Sequence, residues 1–323
     1  MNNASVLVTG ANGFIGQPLC SYLLSKGYSV RAALRSKDTP LPKECVPVVV
    51  GELNEHTQWK GALSGITTVI HLAGRAHVMK ELSSDALSLY RQTNTAGTKQ
   101  LARMAVENGV RRFIFISSVK VNGEYTLQAP FTEKDPPHPC DPYAVSKWEA
   151  ECALRELTQE NIMELVILRL PLVYGPGVKA NFLRLISLVD KGVPLPLKNI
   201  NNKRSLIALD NVIDIISHCI DHQNAANETF LLSDGHDLST AELVELIARA
   251  LKKPGRLFPF PAGLLRFLGR LINKNEEMQR LVGSLVVDSE KIQNMLSWSP
   301  VITVEAAVQK TVDWYLETLR KRK

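Results

Sequence analysis

The feature that most constrains this chain is a turn of three glycines, each separated by two residues: Gly10-Ala11-Asn12-Gly13-Phe14-Ile15-Gly16. An apolar, β-branched run, Ser5-Val6-Leu7-Val8-Thr9, precedes it. Phe14 to Lys26 follow, with Ile15, Leu19, Leu23 and Leu24 at helical spacing. Strand, glycine turn and helix form the arrangement in which backbone N–H groups at a helix N-terminus receive a diphosphate. Gly10 would permit the tight turn, Gly13 would let a ligand approach the backbone, and Gly16 would let the helix pack on the strand. Asn12, Phe14 and Ile15 belong to the same expected dinucleotide-binding set. GxxGxxG differs from the commoner GxGxxG spacing, so the turn draws its weight from the βαβ pattern that follows.

That pattern continues in order. Ser29 to Leu34 reads as a second strand, Val46 to Val50 as a third, Thr67 to Leu72 as a fourth, Arg112 to Ser118 as a fifth and Leu165 to Leu170 as a sixth. Ser84 to Asn108 and Tyr143 to Leu157 read as helices between them. Strands alternating with helices in this way predict an α/β fold with a doubly wound parallel sheet. The end of the second strand, where an acid would bind a ribose hydroxyl, carries Leu34-Arg35-Ser36, with no acid before Asp38. Arg35, helped by Arg31, therefore favours the 2′-phosphate of NADP(H), with NAD(H) as the alternative. Glu52 and Leu53 after the third strand, and Leu72, Ala73 and Gly74 after the fourth, would line the same crevice. His71, inside an apolar strand, reads as a satisfied core histidine.

At 323 residues the chain exceeds one ordinary domain. The rhythm changes beyond Gly175-Pro176-Gly177. We expect a dinucleotide-binding domain over 1–175, with 203–225 returning to it and the strand Ser205 to Ala208 joining the main sheet. Residues 176–202 and 226–323 would form a smaller substrate lobe, with helices near Asn181 to Lys191, Thr240 to Leu251, Ala262 to Ile272 and Val304 to Leu319. Of the net charge of +6, Arg320, Lys321, Arg322 and Lys323 supply four, leaving +2 for the body. With no basic stripe interleaved with aromatics, a nucleic-acid partner is not expected. Five scattered cysteines (Cys20, Cys45, Cys140, Cys152, Cys219) form no CxxC pair, which argues against a zinc site and for a reducing compartment. Only four residues precede the first strand and no stretch reaches the length of a membrane span, so we expect a cytoplasmic location without stable membrane insertion.

Tyr143-Ala144-Val145-Ser146-Lys147 carries the chemistry. At i,i+4 the phenol and the ammonium share one helix face. A free phenol, with a pKa of about 10, is a poor proton shuttle near neutrality, and a neighbouring cation would favour the phenolate. Ser118, at the end of the preceding strand, is a plausible third member. His218, Asp221 and His222 fall at helical spacing but lack a third partner of convincing spacing, so no metal is expected. Arg256 to Lys274, with Phe258, Phe260, Leu264, Leu265, Phe267, Leu268, Leu271, Arg266 and Arg270, is amphipathic and basic. It reads as a helix over the substrate crevice in preference to a membrane contact.

These motifs resemble the extended short-chain dehydrogenase/reductases, in the nucleotide-sugar branch typified by UDP-glucose 4-epimerases. The resemblance rests on TGANGFIG (Thr9 to Gly16), HLAG (His71 to Gly74), Asn94 with Gly97-Thr98, FISSVKVNGE (Phe115 to Glu124), PYAVSK (Pro142 to Lys147), RLPLVYGPG (Arg169 to Gly177) and KRSLIALDNV (Lys203 to Val212). It implies a Rossmann-type NAD(P) domain, a UDP-sugar substrate and catalysis by Ser118, Tyr143 and Lys147. It also implies cofactor contacts from Asn94, Pro171 and Val173, and substrate contacts from Lys120, Asn181, Arg204 and Arg280. A homodimer built on the helices near Ser84 to Asn108 and Tyr143 to Leu157 follows by the same analogy. Sugar-nucleotide 4,6-dehydratases carry an Asp-Glu pair after the catalytic hydroxyl residue, where this chain has Val119-Lys120, so a dehydratase is not expected. Leu172 replaces the branch's usual asparagine. The missing acid after the second strand, taken with Arg35, suits a 4-ketoreductase somewhat better than a 4-epimerase, and Lys120 to Glu124 with Gly177 to Phe182 resemble 4-ketoreductases of the UDP-N-acetylquinovosamine type. A dinucleotide sensor without turnover is the alternative from another class.

Overall fold

The structure, a computed structural model, describes residues 4–36, 40–76, 85–159, 161–261, 263–265, 267 and 275–321. Asp38, Ser84, most of the expected helix from Ala262 to Ile272 and the last two basic residues lie outside that set.

Alternation within the strands explains the layering. Strands β1 (Ser5–Thr9), β2 (Ser29–Leu34), β3 (Val46–Val49), β4 (Thr68–His71), β5 (Arg112–Ser118) and β6 (Glu164–Leu170) fall where the apolar runs predict. Strand β7 (Leu172–Tyr174), β8 (Leu206–Ala208) and β9 (Glu228–Leu231) follow. Val6, Val8, Ile70, Ile114, Ile116, Val166 and Leu168 face one layer; Leu7, Val69, Phe113, Phe115, Leu165 and Ile167 face the other. Because successive side chains point to opposite faces, strands apolar at every position need helices on both sides. Helix α1 (Gly16–Ser25) and, later, Leu209–Asp221 cover the first face. Helices α2 (Lys60–Leu63), α3 (Ala86–Tyr90), α4 (Gly97–Glu107) and α5 (Pro142–Gln159) lie along the chain between β3 and β6, and α2, α4 and α5 bury residues against the second face.

The seven-stranded main sheet has the order β3-β2-β1-β4-β5-β6-β9. All its pairings are parallel. The order reverses between β1 and β4, and such a switch point opens a crevice at the carboxyl ends of the strands. The expectation for the strand Ser205 to Ala208 needs correction. Here β8 pairs with β7 in a separate two-stranded parallel sheet, and β9, assigned to the substrate lobe, is the seventh strand of the main sheet. Helix α7 (Leu209–Asp221) does return, burying Val212, Ile215, Ile216 and Cys219 against the first face.

A second core gathers α6 (Ala180–Asp190), α8 (Thr240–Ala250), Val282 at the end of α9 (Asn275–Val282) and, after α10 (Glu290–Leu296), α11 (Val304–Arg320). Phe14, from the glycine turn, packs against both cores. No helix among the described residues is long and apolar enough to cross a membrane.

Candidate active site

The glycine turn closes as its spacing requires. Gly10 has φ +65°, and a Cβ there would lie 2.9 Å from the backbone nitrogen of Ala73. A Cβ on Gly16 would lie 2.8 Å from Ala11 Cα and closer still to Gly10 O. The Gly13 N–H donates to Gly10 O at 2.8 Å. Helix α1 begins at Gly16 with no side-chain cap and no acid in its first turn. Its positive end is therefore left open toward the crevice, the condition a diphosphate needs. Ala11 is buried beneath the turn while Asn12 and Gly13 are exposed on it, so the residues present fit a dinucleotide.

At the end of β4, Thr9 Oγ1 accepts from the Ala73 N–H at 3.1 Å and meets His71 Nδ1 at 2.7 Å. His71 Nε2 meets Thr98 Oγ1 at 2.9 Å, so the imidazole is a satisfied core group. Burial and the neighbouring Lys147 charge pull its pKa down to about 3 and keep it neutral.

The expected long helix is broken. Arg91–Ala96 forms a π-helical turn between α3 and α4. Such turns concentrate at functional sites, and here the extra residue brings buried Asn94 inward. Its Oδ1 accepts from the Arg75 N–H at 2.7 Å; its Nδ2 donates to Arg75 O and Ser146 Oγ, both at 3.0 Å. Asn94 thus ties the Gly74-Arg75 stretch to α5. Gly97 lets the next turn approach Leu53, where a Cβ would lie 3.2 Å from the Leu53 carbonyl carbon.

Ser118, Tyr143 and Lys147 converge at the ends of β5 and the start of α5. Lys147 is buried, and its Nζ donates to Ile116 O at 2.9 Å and lies 4.5 Å from the Phe115 ring centroid. Removal from water pulls its pKa down to about 8, while Glu151 opposes the fall. Tyr143 is half-buried and hydrogen-bonds with Ser118; its ring meets that of Tyr90 edge-on, at 6.2 Å between centroids. Its phenol departs from expectation. Burial, then the Asp141 carboxylate, push the pKa up to about 12, with the Ser118 bond opposing.

Behind this group, Glu151 is fully buried and receives Arg169 Nε at 3.0 Å, Arg169 Nη2 at 2.7 Å and Ser117 Oγ at 2.6 Å. Arg155 Nη2 adds a bond at 3.2 Å. This cluster locks α5 onto β5 and β6, and neither Glu151 nor Arg169 was singled out from the sequence for that role. Asp141 was also missed, although an Asp three residues before Ala144 is an N-cap signal: its Oδ1 accepts from the Ala144 N–H at 2.7 Å.

The remaining expected residues are dispersed around the crevice. Arg35 and Ser36 are exposed at the end of β2. Arg31 gives Arg35 no help, because its Nη1 donates to Ala62 O and Ser64 O, both at 2.8 Å. Glu52 is exposed and Leu53 and Leu72 are half-buried; Pro171 is buried and Val173 packs on the first core. Lys120 Nζ bonds Asp141 Oδ2 and reaches Glu124 Oε1 at 3.3 Å. Asn181 is exposed in the first turn of α6. Arg204 and Arg280 come together from distant segments: Arg204 Nη1 donates to Arg280 O at 3.0 Å, and burial and the Arg280 charge lower the Arg204 pKa. Residues 284–287 bind Thr126 and Phe131 on one side and Lys203 and Ser205 on the other, joining this arginine pair to the loop after Lys120. His218 Nε2 meets Leu296 O at 3.1 Å, away from the crevice, with the His222 ring 4.9 Å off.

A parallel, doubly wound sheet with a glycine turn at its switch point and a Ser–Tyr–Lys group beside it defines an extended short-chain dehydrogenase/reductase. The chain belongs to the NAD dependent epimerase/dehydratase family, whose model matches residues 6–232. It is 46% identical over 319 residues to a UDP-glucose 4-epimerase of Vibrio cholerae, covering 97% of this chain and 96% of that one. Among solved structures it resembles the UDP-glucose 4-epimerase of Thermotoga maritima with UDP-glucose (TM-score 0.77, 23% identity, 98% and 99% covered). It also resembles the UDP-glucuronic acid 4-epimerase of Bacillus cereus in complex with NAD (TM-score 0.78, 22% identity, 97% and 99% covered).

Proposed function

We propose that this chain transfers hydride at C4 of a UDP-hexose, reducing a UDP-4-keto sugar in preference to epimerising UDP-glucose or UDP-N-acetylglucosamine. What carries the reading is the Ser118–Tyr143–Lys147 group beside the glycine turn, followed by Val119-Lys120 where elimination would need an acid and a base. The same absence argues against 4,6-dehydration.

A nicotinamide dinucleotide, with its diphosphate held at the Gly10 to Gly16 turn, would supply or accept the hydride. Tyr143 gives the proton to the C4 oxygen, or takes it in the reverse direction, and Ser118 hydrogen-bonds that oxygen. Lys147 holds positive charge in the buried floor of the site and would orient a ribose hydroxyl of the dinucleotide. Arg204 and Arg280, two cations held close together, suit the substrate diphosphate, and Asn181 adds a contact from α6. Exposed Arg35, with no acid before Asp38, supports NADP(H) over NAD(H). The NAD in the Bacillus cereus neighbour supports the alternative. The 46% identity to the Vibrio cholerae protein supports epimerisation as the second reading. A cytoplasmic homodimer, joined through the helices of 86–107 and 142–159, completes the proposal.

The test compares NADPH and NADH binding by fluorescence, then assays wild type and Tyr143→Phe on a UDP-4-keto-6-deoxyhexose and on UDP-glucose. Reduction of the ketone with tighter NADPH binding, and loss of about 10²-fold or more in Tyr143→Phe, is the expected result. Interconversion of UDP-glucose and UDP-galactose without net cofactor use selects the epimerase. Dinucleotide binding with no turnover of any sugar nucleotide selects a sensor. Light scattering reads the dimer.

A further inference from the structure

We infer that Lys120 and Asp141 form a charge-compensated clamp governing how readily Tyr143 exchanges its proton, Lys120 serving as a positioning residue and not as a sugar contact. The inference deepens the proposed activity and rests on Tyr143 being its acid.

Asp141 stands two residues before Tyr143 and has both carboxylate oxygens engaged. Oδ1 caps α5 through the Ala144 N–H at 2.7 Å, which fixes the first turn of the helix that carries the phenol. Oδ2 takes Lys120 Nζ, 21 residues away in sequence. The Lys120 backbone N–H donates to Ser118 Oγ at 3.3 Å. One residue therefore touches, through its two nitrogens, the hydroxyl bonded to Tyr143 and the carboxylate beside it. The clamp is largely sheltered: the side chains of Lys120 and Asp141 are 18% and 27% exposed, so their charges are screened less than surface charges would be.

Other groups also face the phenol among the described residues. Tyr90 of α3 acts on the phenol in the same sense as Asp141 but more weakly, Ser118 of β5 hydrogen-bonds it, and Lys147 of α5 directs its ammonium to Ile116 O. Arg75 lies behind, 5.9 Å from the Tyr90 ring centroid. Cys140 in the preceding loop meets His138 Nδ1 at 3.2 Å. The Asp141 carboxylate opposes formation of phenolate, and it is paired with the Lys120 ammonium, itself shared with Glu124. The two charges must then act on Tyr143 with opposite signs.

The test titrates Tyr143 in the ligand-free protein by NMR of ¹³Cζ-labelled tyrosine, assigned with Tyr143→Phe. Lys120→Met is expected to raise the midpoint and Asp141→Asn, which keeps a capping side chain, to lower it, each by about 0.5–1 pH unit. The double variant is expected to return toward wild type. In the sugar-nucleotide assay the pH at half-maximal kcat moves with the same signs while KM stays within about twofold. Shifts of the same sign, or none, overturn the clamp. So does a rise in KM for Lys120→Met with the kcat profile unmoved, which would assign Lys120 to the substrate. The titration needs no substrate, so it succeeds or fails independently of which sugar nucleotide the protein uses.

Discussion

Replacing Lys147 by methionine should abolish activity and yet stabilise the ligand-free fold near neutrality. Lys147 is 4% exposed, and burial takes its pKa from the ordinary 10.5 to about 8. An unfolded lysine keeps its proton up to pH 10.5, whereas the folded one releases it near 8. Between these values the unfolded state binds more protons, so this group makes stability rise with pH; below pH 8 its contribution is a constant penalty. At roughly 1.4 kcal/mol per unit the penalty is about 3 kcal/mol. Methionine removes it but forfeits the bond to Ile116 O, worth about 1 kcal/mol. The variant should therefore be about 2 kcal/mol more stable at pH 7, and the advantage should fall by roughly 1.4 kcal/mol per pH unit above 8, then reverse. Urea midpoints of both proteins at a series of pH values read this directly, because the other titrating groups cancel in the difference. A difference that stays level from pH 7 to beyond 10 would refute the reasoning, showing an ordinary lysine.

Three further outcomes follow from the same geometry. Glu151→Ala removes the carboxylate that compensates Arg169, 2% exposed, leaving its bond to Asn122 Oδ1, and should cost about 3–5 kcal/mol, seen as a lower denaturation midpoint; Glu151→Gln should cost less. Gly16→Ala forces a methyl group against Ala11 and Gly10; it should cost about 1–3 kcal/mol and weaken dinucleotide binding measured by fluorescence. His71→Leu should be less stable at pH 7, where it leaves Thr9 and Thr98 hydroxyls without the imidazole, but should lose less on acidification. In wild type, stability falls as pH drops from 6.5 toward about 3, because the folded imidazole resists protonation; equal acid sensitivity in both proteins would contradict this.

The sheet was legible because buried parallel strands carry apolar residues on both faces: the bounds of Ser5 to Thr9, Ser29 to Leu34 and Arg112 to Ser118 came straight from that pattern. The glycine turn and the Tyr143–Lys147 pair were legible because spacing alone fixes which residues share a turn or a face. The π turn at Arg91–Ala96 was not, since a single inserted residue leaves local composition unchanged. Nor was the pairing of β7 with β8, since strands of three residues carry too short a run for periodicity to identify their partner. The sign of the Tyr143 shift also escaped. It depends on burial and on a carboxylate whose countercharge comes from Lys120, a long-range arrangement that no local motif encodes.

Phe14 ties the glycine turn to both hydrophobic cores. Its ring packs on both cores and its edge passes 3.5 Å from where a Cβ on Gly177 would stand, so the turn that fits a dinucleotide is also a place where the two cores meet. A smaller side chain at Phe14 would therefore disturb the glycine turn and the contact between the two cores together.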